Sequence, residues 1–237
     1  MDKTTRHLIS SLKFSTTLTA AMWVVHIYQY ATGSTMAHWG IYPREFDGLI
    51  GILTAPFIHG SWEHLISNSV PLFVTTTIIY FFYKRVALSS FVLIYLLTGA
   101  AVWIFGRSVY HIGASGVVYG LISFIFGSGV FRRNIKSIIL ALVVTVLYSG
   151  YLTGVLPLKQ GISWESHLLG GIVGLIIAWL MKGIIEKDEE TSDPWADESD
   201  EKKTYLAPDT FEMTRAEKLR AQQEAQRQAD NEDFLEI

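Results

Sequence analysis

The stretch HIGASGVVYG, residues 111–120, places a single serine, Ser115, among small residues at the start of an apolar run. A hydroxyl in such a run usually packs between helices or bonds to the backbone. Polar groups at membrane depth are costly, however, and they are often functional. The role of Ser115 therefore depends on which other polar side chains the fold brings to the same depth.

Charge divides the 237-residue chain into two unlike parts. Residues 1–185 carry 12 basic and 5 acidic side chains, a net charge of +7, whereas residues 186–237 carry 7 basic and 17 acidic ones, a net of −10. This pattern predicts a membrane domain over 1–185 and a soluble acidic tail over 186–237, disordered at first and then helical. The chain has no cysteine, which excludes disulfides, thiolate metal sites and a cysteine nucleophile.

Six apolar stretches have the length of a membrane span, which takes about 20 mostly apolar residues. They cover residues 14–32, 65–83, 86–106, 114–131, 137–156 and 166–185. The pattern predicts an all-α, polytopic fold of six transmembrane helices. The fourth stretch is short and glycine-rich, which favours a buried central helix. The connection 33–64 is rich in aromatic residues, so we expect a partly helical hairpin in the membrane interface.

Basic residues alternate between the connections and set the expected orientation. Ten lie before the first span, between spans 2 and 3, between spans 4 and 5, and around the end of span 6, against three in the other connections. The positive-inside rule then predicts that both termini are cytoplasmic. Spans 2, 4 and 6 therefore begin at the outer side.

Polar side chains open each of these three spans: His64 and Asn68 in span 2, Ser115 in span 4 and His167 in span 6. They can converge at one depth, and together they are the parts of an acyl-transfer site. Ser115 would attack, a histidine would act as general base and then acid, and donors would stabilise the oxyanion. Taken singly, each residue could instead pack between helices or anchor its span at the interface.

Glycines flank Ser115 and follow His167, and they favour close approach of spans 4 and 6. They are Gly113, Gly116, Gly170, Gly171 and Gly174. Tyr119 lies one turn after Ser115 on the same helix face, so we expect it to pack against the imidazole.

With these residues in place, the chain resembles the rhomboid family of intramembrane serine proteases over residues 14–185. The GxSG motif is Gly113 to Gly116, and the HxxxN element is His64 to Asn68, with the further upstream histidine at His59. The span-6 pattern of a histidine and two glycines is His167, Gly170 and Gly174. GxSG alone would be a weak signal, whereas the three motifs together are specific.

The resemblance implies a Ser115–His167 dyad without a catalytic acid and a membrane-embedded first loop. It also implies an oxyanion hole formed by Asn68, His64 and the Ser115 N–H.

Two positions depart from the family pattern. The family's frequent Trp-Arg pair in the first loop appears as Tyr42-Pro43-Arg44, in which only the arginine is kept. The usual alanine before the span-6 histidine is Ser166.

The resemblance, taken with the expected orientation, implies a serine endopeptidase that cleaves transmembrane helices near the outer membrane face, in a multi-pass protein of a bacterial inner membrane. We expect transmembrane protein substrates, membrane lipid and a cytoplasmic protein bound by the tail as partners. We expect no cofactor, no metal and no nucleic acid.

Two other classes of protein stay open as alternatives. An inactive rhomboid-like protein would bind transmembrane clients without cutting them, but such relatives typically lack the serine or the histidine, and both are present here. A small transporter would carry polar residues toward the inner side, yet spans 3–6 hold no acidic residue beyond Glu165 at the mouth.

A zinc protease is disfavoured because His59 and His64 are five residues apart and form no HExxH motif.

Overall fold

The computed structural model describes residues 1–156, 163–184, 186 and 214–233. These residues are overwhelmingly helical. The α-helices are α1 Lys3–Thr32, α2 Gly51–Thr54, α3 Trp62–Phe82, α4 Ala87–Phe105, α5 Ser115–Arg132, α6 Ile135–Tyr148, α7 Trp164–Leu180 and α8 Arg215–Asp233. Short 3₁₀ segments cover Ala37–Trp39, Phe46–Ile50, Ala55–Phe57 and Ser149–Val155.

Polar caps begin several of these helices. Asp2 accepts a hydrogen bond from the Thr5 N–H, Ser61 accepts one from the His64 N–H, and Asn134 starts α6 in the same way. Such caps satisfy N–H groups that have no intrahelical acceptor. Helix α1 begins eleven residues before the predicted span and includes the basic N-terminal turns. The Asp2 cap stabilises this earlier start.

Within the part of the chain that the structure describes, four helices are long and apolar enough to cross a membrane: α1, α3, α4 and α5. The other two predicted spans fall on shorter apolar helices, α6 and α7. The end of the predicted fifth span differs from the expectation, because the chain leaves α-helical geometry after Tyr148 and continues as the 3₁₀ segment Ser149–Val155. The six-span topology therefore stays a prediction.

The glycine-rich helix α5 lies at the centre of the bundle, as its composition predicts. In α5, 61% of the residues are buried, against 17% in the apolar part of α1. Its neighbours include α3, α4, α6 and α7, of which α7 packs most extensively against it.

Glycines let α5 and α7 pack backbone against backbone. A Cβ atom at Gly170 would overlap with the carbonyl oxygen of Gly116, and one at Gly174 would overlap with the carbonyl oxygen of Gly120. Any larger residue at these positions would push the two helices apart. The glycines of α7 therefore set the distance between the helices that carry Ser115 and His167.

Arg44 connects the first loop to the end of α4, although the tryptophan of the family's Trp-Arg pair is absent from this loop position. The Arg44 guanidinium donates to the carbonyl oxygens of Ile104 and Gly106 and to the Ser108 hydroxyl. The loop also exposes large apolar side chains, among them Phe46 and Leu53. Its location in the membrane interface remains an expectation.

The chain divides into two units, Met1–Glu190 and Thr191–Ile237. Glu186, the first residue of the predicted tail, is buried in the first unit, and its carboxylate accepts a hydrogen bond from the Arg85 N–H. The predicted disordered stretch lies almost entirely outside the described residues. In the second unit, α8 begins with a capping box formed by Thr214 and Glu217.

Gly174→Ala should destabilise the protein, because the added methyl group meets the rigid Gly120 carbonyl. Overpacking of this kind costs about 1–3 kcal/mol. The midpoint of thermal unfolding in detergent should therefore fall. Gly183→Ala is the matched control, because a Cβ at Gly183 would contact nothing within 4 Å. Equal midpoints for the two variants would contradict the close packing of α5 on α7.

Candidate active site

Ser115 is the first residue of α5, and Gly113 shapes the turn that precedes it. The backbone at Gly113 has a φ of +99°, a region that only glycine adopts without strain. A Cβ at Gly113 would also lie 2.6 Å from the imidazole of His64. Gly113 therefore turns the chain into α5 and makes room for His64 beside Ser115. The first N–H groups of a helix lack intrahelical acceptors, so this end of α5 can receive an oxyanion.

His167 lies in the first turn of α7 and is buried, with 8% of the residue exposed. Its Nε2 atom is 2.8 Å from the Ser115 Oγ atom. This is the distance of a hydrogen bond between a serine and the base that would take its proton. Helices α5 and α7 thus bring together the two side chains that the sequence singled out, which lie 52 residues apart.

The other ring nitrogen of His167 decides which way this hydrogen bond runs. Nδ1 is 2.8 Å from the carbonyl oxygen of Gly154, and a carbonyl can only accept. Nδ1 therefore carries the proton, and the neutral ring presents a lone pair at Nε2. The Ser115 hydroxyl donates to that lone pair. A peptide carbonyl here occupies the place that a carboxylate takes in a serine-protease triad.

Tyr119 stacks flat on the imidazole of His167. The ring centroids are 4.2 Å apart and the planes differ by 10°. The Tyr119 hydroxyl donates to the Tyr151 carbonyl, which holds the phenol ring in this position. The contact expected from the sequence is present, and it restrains the plane of the imidazole.

Two residues of the 3₁₀ segment 149–155 belong to the site, and the sequence reasoning missed them. Gly154 supplies the carbonyl at Nδ1, and a Cβ there would overlap with the Tyr119 hydroxyl and lie 3.1 Å from His167 Nδ1. Tyr151 accepts from Tyr119 through its carbonyl and donates its own hydroxyl to the Ser67 carbonyl of α3, at 2.9 Å. The only signal in the sequence is a pair of glycines, Gly150 and Gly154, near the end of an apolar run.

The proposed oxyanion donors lie on the first turns of α3. His64 packs against Gly113, as described above, and Asn68 follows one turn later. The Asn68 amide donates one hydrogen bond to the His64 carbonyl, at 2.8 Å. A primary amide has two donor hydrogens, so one can serve another acceptor. Asn68 is nearly buried, which limits competition from water.

His59 lies behind His64 and connects it to α1. The rings of His59 and His64 are 5.0 Å apart, and those of His59 and His26 are 6.5 Å apart. The His59 N–H also donates to the Gln29 side chain of α1. His59 is 1% exposed, and burial is the main reason why its pKa falls to about 3. It is therefore a neutral packing group that supports His64.

A family model for the Rhomboid domain matches residues 47–183, which is more than half of the chain and includes Ser115, His167, the proposed oxyanion donors and the glycines between α5 and α7. The chain belongs to the rhomboid family. Membership and the apolar helices together make it an integral membrane protein.

Curated relatives of this rhomboid come from bacteria and a plant. An uncharacterized protein of Mycobacterium tuberculosis is 34% identical over 70% of this chain and 72% of its own length. An uncharacterized protein of Mycobacterium leprae is 32% identical over 70% of this chain and 69% of its own length. The chloroplastic rhomboid-like protein 11 of Arabidopsis thaliana is 30% identical over 58% of this chain and 54% of its own length.

Acid should destabilise this rhomboid partly through His59. In the folded protein His59 stays neutral down to a pH of about 3, whereas in the unfolded chain it binds a proton near its ordinary pKa of 6.5. The unfolded state then holds more protons, so stability falls as the pH drops below about 6.5. The thermal midpoint in detergent should decrease between about pH 7 and pH 5, and less steeply in His59→Gln.

The control for this measurement is His38→Gln, because His38 is exposed. It should keep the pH dependence of the parent protein. If His59→Gln loses stability with acid as steeply as the parent does, burial of a neutral His59 is not the cause.

Proposed function

We propose that this rhomboid is an intramembrane serine endopeptidase in which Ser115 is the nucleophile and His167 is the general base and acid. The observation that supports the proposal most directly is the pair of hydrogen bonds made by one imidazole, to Ser115 Oγ at Nε2 and to the Gly154 carbonyl at Nδ1. Together they give the neutral ring the tautomer that a general base needs.

The reaction follows from this arrangement. The Ser115 oxygen attacks the carbonyl carbon of the scissile peptide bond while its proton passes to His167 Nε2. The tetrahedral intermediate collapses when the imidazolium gives that proton to the leaving nitrogen, which leaves an acyl ester on Ser115. Water then attacks the ester with His167 again acting as base, and the carboxylic acid product leaves.

Donors around Ser115 would stabilise the negative charge on the peptide oxygen. They are the Ser115 N–H at the start of α5, the second amide hydrogen of Asn68 and the imidazole of His64. Gly113, Gly116, Gly170 and Gly174 would bring these groups together by close packing, Tyr119 would orient the base, and His59 would support His64. Such donors act most strongly where water is excluded.

The substrates of this reaction would be transmembrane helices of other proteins. In a six-span bundle with both termini in the cytoplasm of a bacterial cell, the site lies near the outer end of α3, α5 and α7. A transmembrane helix hides its carbonyls in hydrogen bonds and must unwind before Ser115 can attack. We therefore propose cleavage near the outer end of the substrate span, where glycine or proline lowers the cost of unwinding. We also propose that the acidic tail binds a cytoplasmic protein.

Binding of transmembrane clients without cleavage is the second candidate function. The hydrogen bond between Ser115 and His167 favours the protease, because a client-binding protein does not need a base aligned on a hydroxyl.

A fluorophosphonate probe should label the purified protein at Ser115, because such probes react with activated serines. Ser115→Ala should abolish labelling, and His167→Ala should nearly abolish it. Ser123→Ala is the matched control, a serine on the same helix about two turns further along, and should label normally. Labelling and cleavage of a model transmembrane substrate should be lost together.

The labelling result also separates the two candidate functions. A folded parent protein that neither labels nor cuts would favour client binding. Normal labelling of Ser115→Ala would show that the nucleophile is another residue.

Asn68→Ala should slow turnover by about 10–10³-fold, near the range for loss of one oxyanion donor. The effect should fall on kcat more than on KM, because the bond to the oxyanion strengthens only as charge develops. Ser67→Ala on the same turn is the control, since its hydroxyl donates only to the nearby His64 carbonyl. An unchanged kcat in Asn68→Ala would leave Asn68 with a structural role.

A further inference from the structure

A second buried histidine, His111, lies in the loop that leads into α5 but takes no part in the proposed reaction. It is 2% exposed and stands four residues before Ser115 in the HIGASG stretch. Its backbone forms an antiparallel bridge with Ile41 of the first loop, through hydrogen bonds of 2.8 and 2.9 Å. The position of His111 is therefore fixed by its backbone.

The side chain of His111 begins a chain of hydrogen bonds that ends beside His167. Its Nε2 is 3.0 Å from the Arg107 carbonyl, and its Nδ1 bonds to the Ser163 hydroxyl. The Ser163 oxygen is in turn 2.6 Å from the Ser166 oxygen. Ser166 precedes His167 in the first turn of α7. We call His111, Ser163 and Ser166 the serine relay.

The Arg107 carbonyl fixes the direction of the serine relay. A carbonyl only accepts, so Nε2 of His111 carries the proton and Nδ1 of the neutral ring accepts from Ser163. The Ser163 oxygen then accepts from the Ser166 hydroxyl. Burial lowers the pKa of His111, which favours the neutral ring that this direction requires.

The Ser163 side chain does not cap the helix that it precedes. It immediately precedes α7, where a serine normally caps the first turn of its own helix, a contact worth about 1 kcal/mol. Here the Ser163 side chain makes no capping hydrogen bond and bonds to His111 instead. The hydroxyl therefore joins α7 to the 106–114 loop rather than stabilising the helix locally.

The last member of the serine relay touches the helix that carries the nucleophile. A Cβ at Gly116 would lie 3.1 Å from the Ser166 carbonyl oxygen and 3.3 Å from the Ser166 Cβ. Ser166 therefore lies where the first turn of α7 packs against the first turn of α5. It precedes His167 in sequence, and it packs against Gly116, the residue after Ser115. It also stands where the family pattern has alanine, so the relay is a feature of this chain rather than a requirement of the fold.

We propose that His111 is a positioning residue, which through Ser163 and Ser166 holds the first turn of α7 in register with α5 and so sets the Ser115–His167 hydrogen bond. This inference rests on the proposed function insofar as it concerns the reaction rate. An ion pair between Arg107 Nε and Glu165 Oε1, at 3.0 Å, joins the same two segments independently. Loss of the relay therefore loosens the first turn of α7 without detaching it.

Kinetics on the full chain test the rate effect. His111→Leu and Ser163→Ala should each lower kcat by about tenfold with KM unchanged, since small misplacements of reacting groups are costly. His111→Gln, which keeps a donor and an acceptor, should retain most of the activity. The double variant His111→Leu with Ser163→Ala should be no slower than the slower single variant, because both break one chain. Ser89→Ala, at a serine whose hydroxyl donates to the Val86 carbonyl near the start of α4, should be unaffected.

Histidine ¹⁵N NMR tests the same inference without turnover. In the parent protein His111 should be the tautomer protonated at Nε2, with its signals assigned by their loss in His111→Gln. The His167 Nε2 signal should move in His111→Leu and in Ser163→Ala, but not in Ser89→Ala.

The kinetic and NMR measurements together distinguish failure of the proposed protease from failure of the positioning role. A parent protein that does not cut, but whose His167 signal moves in the relay variants, would overturn the protease and leave the positioning role standing. A parent protein that cuts, with His167 signals and kcat unmoved in both relay variants, would overturn the positioning role alone. Additive losses in the double variant, or no rescue by His111→Gln, would also overturn it.

Discussion

The backbone contact between α5 and α7 is the constraint on which the rest of the site depends. Gly170 and Gly174 lie directly on the carbonyl oxygens of Gly116 and Gly120, so the helices are as close as their main chains allow. Close-packed interiors do not deform smoothly, and a single methyl group between these helices would be felt across the contact. The 2.8 Å distance between Ser115 Oγ and His167 Nε2 is a consequence of this packing.

With the helices fixed, the imidazole of His167 is restrained by three further contacts: the serine at Nε2, a carbonyl at Nδ1 and the Tyr119 ring on its face. The Gly154 carbonyl selects the tautomer as well as a carboxylate would. It carries only a partial charge, however, and so stabilises the imidazolium less than the aspartate of a triad does. In the proposed protease, the Ser115–His167 dyad would therefore obtain more of its rate from positioning and from the proposed oxyanion donors.

The sequence alone predicted the parts of the site that depend on helical periodicity and on the expected orientation of the spans. Ser115 and His167 each open a span that is expected to begin at the outer side, and the glycines of α7 recur on one helix face, so their approach could be expected. The short glycine-rich stretch is indeed the central helix. The sequence did not predict that the chain leaves α-helical geometry after Tyr148, because the residues from Ser149 to Val155 continue the same apolar run. Their 3₁₀ geometry follows from tertiary contacts, namely Tyr119 and His167 packed against Gly154 and Ser67 bonded to Tyr151. Every residue type has the same backbone carbonyl, so a pattern of residue types does not show which carbonyl oxygens make such contacts.

Irregular segments beside a membrane site are tolerated only if their backbone polar groups are satisfied within the protein. The same requirement supplies the site with fixed acceptors. The carbonyl of Gly154 orients the His167 ring, and the carbonyl of Arg107 orients the His111 ring. In both cases a carbonyl that cannot donate determines which ring nitrogen holds the proton. In the proposed protease, the non-helical segments would therefore contribute directly to the chemistry, because their carbonyls select the tautomers of His167 and His111.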